Sequence, residues 1–137
     1  MLPTVTGIAA RLTLAILRKQ NVAVAPLLRR AGLSEHDFDG RHRQQQRISA
    51  ASQGKFLEYA AEAMDDNAFG LHLAESANPR EAGLLFYVTS AANNIGEALA
   101  LFARYSRIAN EAVRVKHAHA SEGVVAEISF IDRKSVV

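Results

Sequence analysis

Residues 83–113 read GLLFYVTSAANNIGEALALFARYSRIANEAV, and the rhythm of apolar residues in and after this run decides the fold. Asn94 and Glu97 stand three apart, the spacing at which a capping side chain and an acidic partner satisfy the free amides of a helix start. Ile95, Ala98, Leu99, Phe102, Tyr105 and Ala109 then recur at helical intervals, with Arg104 on the far side. The preceding Leu84 to Ser90 is apolar nearly throughout, and its period alone does not separate strand from helix. After the helix the period falls to two. Val113, Val115, His117 and His119 alternate with polar or small residues, Ser121-Glu122-Gly123 supplies a turn, and Val124, Ala126, Ile128 and Phe130 alternate again. Residues 111–131 are therefore expected to form a β-hairpin. Such a hairpin is marginal alone and has open edges, so it is expected to begin a larger mixed sheet.

Toward the amino terminus the pattern is helical. A first helix is expected over Thr6 to Gln20, with Ile8, Leu12, Ala15 and Ile16 on one face and Leu14 and Leu17 on another, hence buried on more than one side; Arg11 and Arg18 share the remaining stripe. A second runs from Ala23 to Ala31 and stops at Gly32, which suits the left-handed conformation after a helix, and Ser34 can cap the next turn. Ser49 opens a third helix carrying Phe56, Leu57, Ala60, Ala61 and Met64, which Asp65, Asp66 and Asn67 break. Phe69 to Ala77 forms a short fourth helix, ended by Asn78-Pro79 because a residue before proline avoids helical geometry. The fold class is α+β and predominantly helical: an amino-terminal helical layer followed by the hairpin.

Composition narrows the function. A chain of 137 residues with 49% apolar side chains is one domain's worth with enough material for a core. No stretch approaches the roughly 20 apolar residues of a bilayer span. Arg11, Arg18 and Lys19 lie inside or after the first apolar run, the reverse of a signal peptide, which makes the cytoplasm the expected compartment. The absence of cysteine removes disulfides, thiolate metal sites and cysteine nucleophiles together. Residues 1–55 hold nine Lys/Arg against three Asp/Glu, a balance of +6, and residues 56–137 hold seven against eleven, a balance of −4. The basic residues are dispersed over several expected helices, so complementing the acidic half fits better than facing phosphate. Arg41, Arg43 and Arg47, with His42, form the one local cluster and read as a solvated connection among Gln44, Gln45 and Gln46.

Sharper chemistries fit the sequence less well. Ala25 to Gly40 has the rhythm of a helix-turn-helix, yet its second helix would begin with Glu35, Asp37 and Asp39 and meet Gly40 after little more than a turn, too short and too acidic for a DNA groove. His117 and His119 project from one strand face, but two histidines do not close a metal site, and no metal or cofactor is expected. The nucleophile elbow, the phosphate loop, the dinucleotide fingerprint and the paired-histidine zinc motif are all missing, so no catalytic residues and no enzyme are expected.

Three stretches carry a family resemblance: AGLSEHDF at residues 31–38, FGLHLAE at residues 69–75, and the long run at residues 83–113 with its EAL and RYSRIANE elements. In this order and spacing the chain resembles the amino-terminal regulatory domain of AraC/XylS-type bacterial transcription regulators, of the arabinose-binding type. It departs from the usual pattern at Asn93-Asn94, where the family often has proline or threonine. The resemblance implies a cytoplasmic sensor that binds a small-molecule effector and controls a carboxy-terminal pair of helix-turn-helix units. DNA would be contacted only through those units, which lie outside these 137 residues, and the strand pattern still running near Val137 leads to the expectation of a single, truncated regulatory domain over residues 1–137. An effector pocket needs apolar surface with a few polar handles, and Phe86, Tyr87, Thr89 and Tyr105, with His72, are the candidate ligand-binding residues. The alternative is a ligand-free module for self-association.

Overall fold

In the computed structural model the described residues are 2–40 and 47–131. Two compact units divide the chain after Asn78. The first contains strand β1 (Thr4–Val5), helices α1 (Ile8–Lys19) and α2 (Val24–Arg30), a single 3-10 turn (Glu35–Phe38), strand β2 (Ile48–Ser49), and helices α3 (Ala50–Ala63) and α4 (Phe69–Ser76). The second begins with a 3-10 turn (Pro79–Ala82) and continues through α5 (Leu84–Ser90), α6 (Ile95–Ala109), β3 (Val113–Ala120) and β4 (Gly123–Phe130). The architecture is α+β and predominantly helical, with two small antiparallel sheets among the described residues.

The first unit is built around α3, which packs on α1, α2 and α4. Phe56 of α3 is 0% exposed and shares the core with Leu17 of α1, Leu28 of α2, and Phe69 and Leu73 of α4. Within α1 the buried face is Ala10, Thr13, Leu14 and Leu17, while Leu12 and Ile16 pack at its margin and Ala15 is exposed. Thr13 is tolerated there because its hydroxyl donates to the Ala9 carbonyl at 2.8 Å.

The helix ends explain why these elements stop where they do. Asn21, Gly32 and Asp65 follow α1, α2 and α3 with φ of 56°, 76° and 50°, the left-handed region. At each the chain closes with the same pair of backbone bonds: Val22 to Leu17 and Asn21 to Arg18, Leu33 to Leu28 and Gly32 to Arg29, Asp66 to Ala61 and Asp65 to Glu62. This is the Schellman arrangement, which satisfies the last carbonyls of a helix, and after α2 it also buries Leu33 beside Leu28. The start of α1 is satisfied differently. Gly7 offers no capping side chain, and Gln53 Oε1, reaching over from α3, accepts from the Ala10 amide at 3.3 Å.

A two-residue pairing that periodicity could not reveal ties the chain start to the entry of α3. Thr4 faces Ser49, Val5 faces Ile48, and the Ala50 amide donates to the Pro3 carbonyl at 3.0 Å. The Arg47 Nε donates to Thr4 Oγ1 at 2.7 Å, so this arginine fastens β2 to β1. The rest of the expected basic cluster, Arg41, His42 and Arg43, lies outside the described residues. Other cations of this half are spread in the same manner: Arg11 donates to the Thr6 carbonyl, Arg18 stands 3.7 Å from Glu35, and Arg30 lies 4.0 Å from the Tyr59 ring centroid. The helix-turn-helix rhythm of residues 25–40 resolves into α2 and one 3-10 turn, with Leu27, Leu28, Ala31 and Leu33 buried, so this segment presents no recognition helix.

In the second unit the ambiguous run 84–90 is a helix. Asn94 Oδ1 accepts from the Glu97 amide at 2.9 Å, as the spacing requires, while Glu97 Oε2 reaches one residue further back than expected, to the Asn93 amide at 2.9 Å and its side-chain nitrogen at 3.0 Å. Both asparagines of the unusual pair thus serve the start of α6. The hairpin pairs Val113 with Phe130, Val115 with Ile128, His117 with Ala126 and His119 with Val124, so these eight residues share one face. Helix α6 packs on β3 and on α5.

The left-handed position after α2 yields a test. Alanine at Gly32 would retain φ near 76° at a cost of about 1–2 kcal/mol, so Gly32→Ala should lower the urea midpoint with m unchanged, and Gly32→Asn should lose less.

Candidate functional site

The five residues expected to bind ligand fall into different units. His72 belongs to the first; Phe86, Tyr87, Thr89 and Tyr105 belong to the second, the first three on α5 and the last on α6. Because α5 and α6 pack together, these four share one helical pair. Their exposures differ: Phe86, Thr89 and Tyr105 are half-buried, and Tyr87 is exposed. The Phe86 and Tyr87 rings meet edge to face with centroids 5.3 Å apart. Arg104 places its guanidinium carbon 5.3 Å from the Tyr105 ring centroid.

Thr89 is a weaker handle than its residue type suggested. Its Oγ1 lies 2.8 Å from the Leu85 carbonyl and 3.0 Å from that of Phe86, so its single proton returns to its own helix. The polar group that stands out instead is Ser106, one residue beyond Tyr105. Ser106 is 4% exposed, and its Oγ is buried without a hydrogen-bond partner. At 100° per residue it lies within the angular range of Ile95, Leu99, Phe102 and Ala109, on the α6 stripe. The sequence signal was present: a serine interrupts an otherwise apolar stripe inside RYSRIANE.

The interior around this serine is sparsely closed. Val115 is the second unit's core-level apolar residue among those described, whereas the first unit's core cluster holds thirteen. Leu99, Phe102 and Tyr105 remain half-buried on α6. On the hairpin face, Val115 is covered, yet Ile128 opposite it is 60% exposed and Phe130 is 76% exposed. His117 and His119 are both exposed on that face with ring centroids 6.4 Å apart, and no group of three or more potential metal ligands occurs among the described residues. The His119 ring also lies beside the start of α6, since a Cβ on Gly96 would come 3.8 Å from its Cε1 and 3.3 Å from Asn94 Oδ1.

In the first unit His72 has a defined partner. Its Nδ1–H donates to Asp66 Oδ2 at 2.7 Å, while Asp66 Oδ1 accepts from the Ala68 amide at 3.0 Å at the entry to α4. The aspartate thus organises the turn and the histidine together. Hydrogen bonding to His72 holds the Asp66 carboxyl below its ordinary value, and the same bond, helped by the carboxylate's charge, raises His72 above its own. The arrangement is a loop clamp: it uses the Nδ1 of His72 to fasten α4 to the turn before it.

The clamp has a definite pH window. A raised His72 value contributes stability that is full below 6.5 and is lost as pH rises through the folded-state value. A lowered Asp66 value contributes stability present above 3.8 and lost as pH falls through its folded-state value. Proton NMR of the His72 ring should therefore show a midpoint above 6.5, and Asp66→Asn should move it back toward 6.5.

The family model for the amino-terminal arabinose-binding domain of AraC transcription regulators matches residues 22–136. No curated protein matches the chain.

Proposed function

The chain belongs to the family of amino-terminal arabinose-binding domains of AraC transcription regulators, and from that premise we propose that it senses a small-molecule effector and governs DNA binding by a carboxy-terminal helix-turn-helix domain. The observation that carries this reading is the family match across 115 of the 137 residues, positions 22 to 136, which takes in α2 to α6 and the hairpin. The second unit supports it with a helical pair whose apolar stripe is only partly covered, the kind of surface on which a small molecule gains affinity by burial. The domain contacts DNA only through the further domain, performs no catalysis, and works in the cytoplasm. No helix among the described residues is long and apolar enough to cross a membrane.

A second reading, self-association without ligand, is favoured by one observation: Ile128 and Phe130 stand exposed at neighbouring positions of one hairpin face. The two readings separate in a melting experiment. A ligand that binds only the folded state stabilises it by RT ln(1 + [L]/Kd), about 2.7 kcal/mol at a hundredfold excess over Kd. L-arabinose, the sugar in the family's name, is the first probe, followed by a panel of amino acids and organic acids. The effector reading expects a rise in Tm with at least one of them at fixed protein concentration. A Tm that rises with protein concentration, ignores every probe, and loses that dependence in Phe130→Ser would establish the self-association reading instead.

A further inference from the structure

The buried Ser106 hydroxyl identifies the chemistry of the effector. We infer that the second unit takes an apolar small molecule carrying one uncharged hydrogen-bonding group, a hydroxyl or a carbonyl, and that Ser106 Oγ is the contact for that group. The inference rests on the effector-sensing reading above and adds to it a residue and a ligand class.

Three observations lead here. The first is the unpaired oxygen itself. A buried hydroxyl without a partner carries its full desolvation penalty, and native proteins rarely retain one without a partner arriving from elsewhere. A serine on a helix can return its proton to the preceding turn, as Thr89 does on α5 and Thr13 does on α1, but Ser106 does not. The second is its setting. Ser106 is 4% exposed and lies among the half-buried Leu99, Phe102 and Tyr105, on a helix flanked by α5 and β3. That stripe is apolar enough to hold a ligand body, and the side chains around the buried serine stop at half-burial.

The third is charge. Helix α5, Leu84 to Ser90, contains no ionisable side chain other than the Tyr87 phenol. On α6, Glu97, Arg104 and Arg107 lie about 100–180° around the helix from Ser106, and all three are exposed. On β3, Arg114 and Lys116 alternate onto the face opposite Val115. No Asp, Glu, Lys or Arg on these elements lies beside the hydroxyl, and the His117 and His119 rings, which share the Val115 face of β3, are exposed, so a carboxylate or ammonium ligand buried at Ser106 would lack a counter-ion, at high cost. A sugar would fare little better, since one serine cannot replace the water bonded to several hydroxyls. A single neutral group on an apolar frame satisfies Ser106 and loses little.

The test uses the full 137-residue chain, wild type and Ser106→Ala, with benzyl alcohol, toluene and L-arabinose as probes, read by NMR titration and by urea unfolding. Wild type should bind benzyl alcohol about three- to tenfold more tightly than toluene, the range a net hydrogen bond provides. In Ser106→Ala that ratio should fall to one or below, because the ligand's hydroxyl is then buried unpaired, while toluene affinity holds. Without ligand the variant should be as stable as wild type or more so, because it loses an unpaired polar atom. A lower urea midpoint for Ser106→Ala would mean that the hydroxyl already has a partner in the free protein, and would overturn the inference. So would an unchanged preference for benzyl alcohol, or no binding of it at all. If L-arabinose binds and benzyl alcohol does not, the inference alone fails; if neither these probes nor the wider metabolite panel bind, the effector-sensing reading fails with it.

Discussion

Burial of Phe56 is the contact on which the first unit depends. It sits on α3 where α1, α2 and α4 all pack against that helix, and a side chain of this size withdrawn fully from water contributes about 1.5–3 kcal/mol. The flanking devices hold α3 in place for that burial. β1 pairs with the residues just before it, Ser49 caps it by accepting from the Ser52 amide at 3.3 Å, and Gln53 on its first turn completes the start of α1. At its far end, Asp65 in the left-handed region turns the chain and passes it to Asp66, which sets the entry to α4 and holds His72. One helix therefore organises the order of the elements around it, from β1 to α4.

The second unit follows a different economy of packing. Its helices are well formed at their ends, with Asn93, Asn94 and Glu97 serving the start of α6. Apart from the buried Val115, its described large apolar residues are half-buried or exposed, Ile128 and Phe130 on the hairpin face among the exposed ones. A core filled to crystal-like density leaves no place for a ligand, whereas a stripe covered on part of its width does.

Much of the architecture was legible in residue order. The capping pair at Asn94 and Glu97, the period of α6, the alternation of the hairpin, the stop at Gly32 and the break at Asp65 each rest on local backbone chemistry, and the structure places all of them within a residue or two of where the pattern reads. Of the five candidate ligand contacts, four share the α5–α6 pair, and His72 lies in the first unit, bonded to Asp66. Tyr105 and Thr89 drew notice as polar atoms beside apolar surface, yet Thr89 gives its proton to its own helix, and the unsatisfied group proved to be the neighbouring Ser106. Residue type states what a hydroxyl can do; only its surroundings decide whether it is already engaged.

By itself the sequence determined the helical periods, the helix stops, the hairpin and the absence of thiol chemistry, because each follows from interactions spanning at most a few residues or from composition alone. Tertiary structure decided the rest. It paired Thr4–Val5 with Ile48–Ser49 across 43 residues, brought Gln53 to the start of α1, resolved the apolar run 84–90 as a helix by packing it on α6, and buried Ser106 without a partner. These depend on which distant atoms arrive beside a given group. That is set by how whole elements pack together, and no local spacing encodes it.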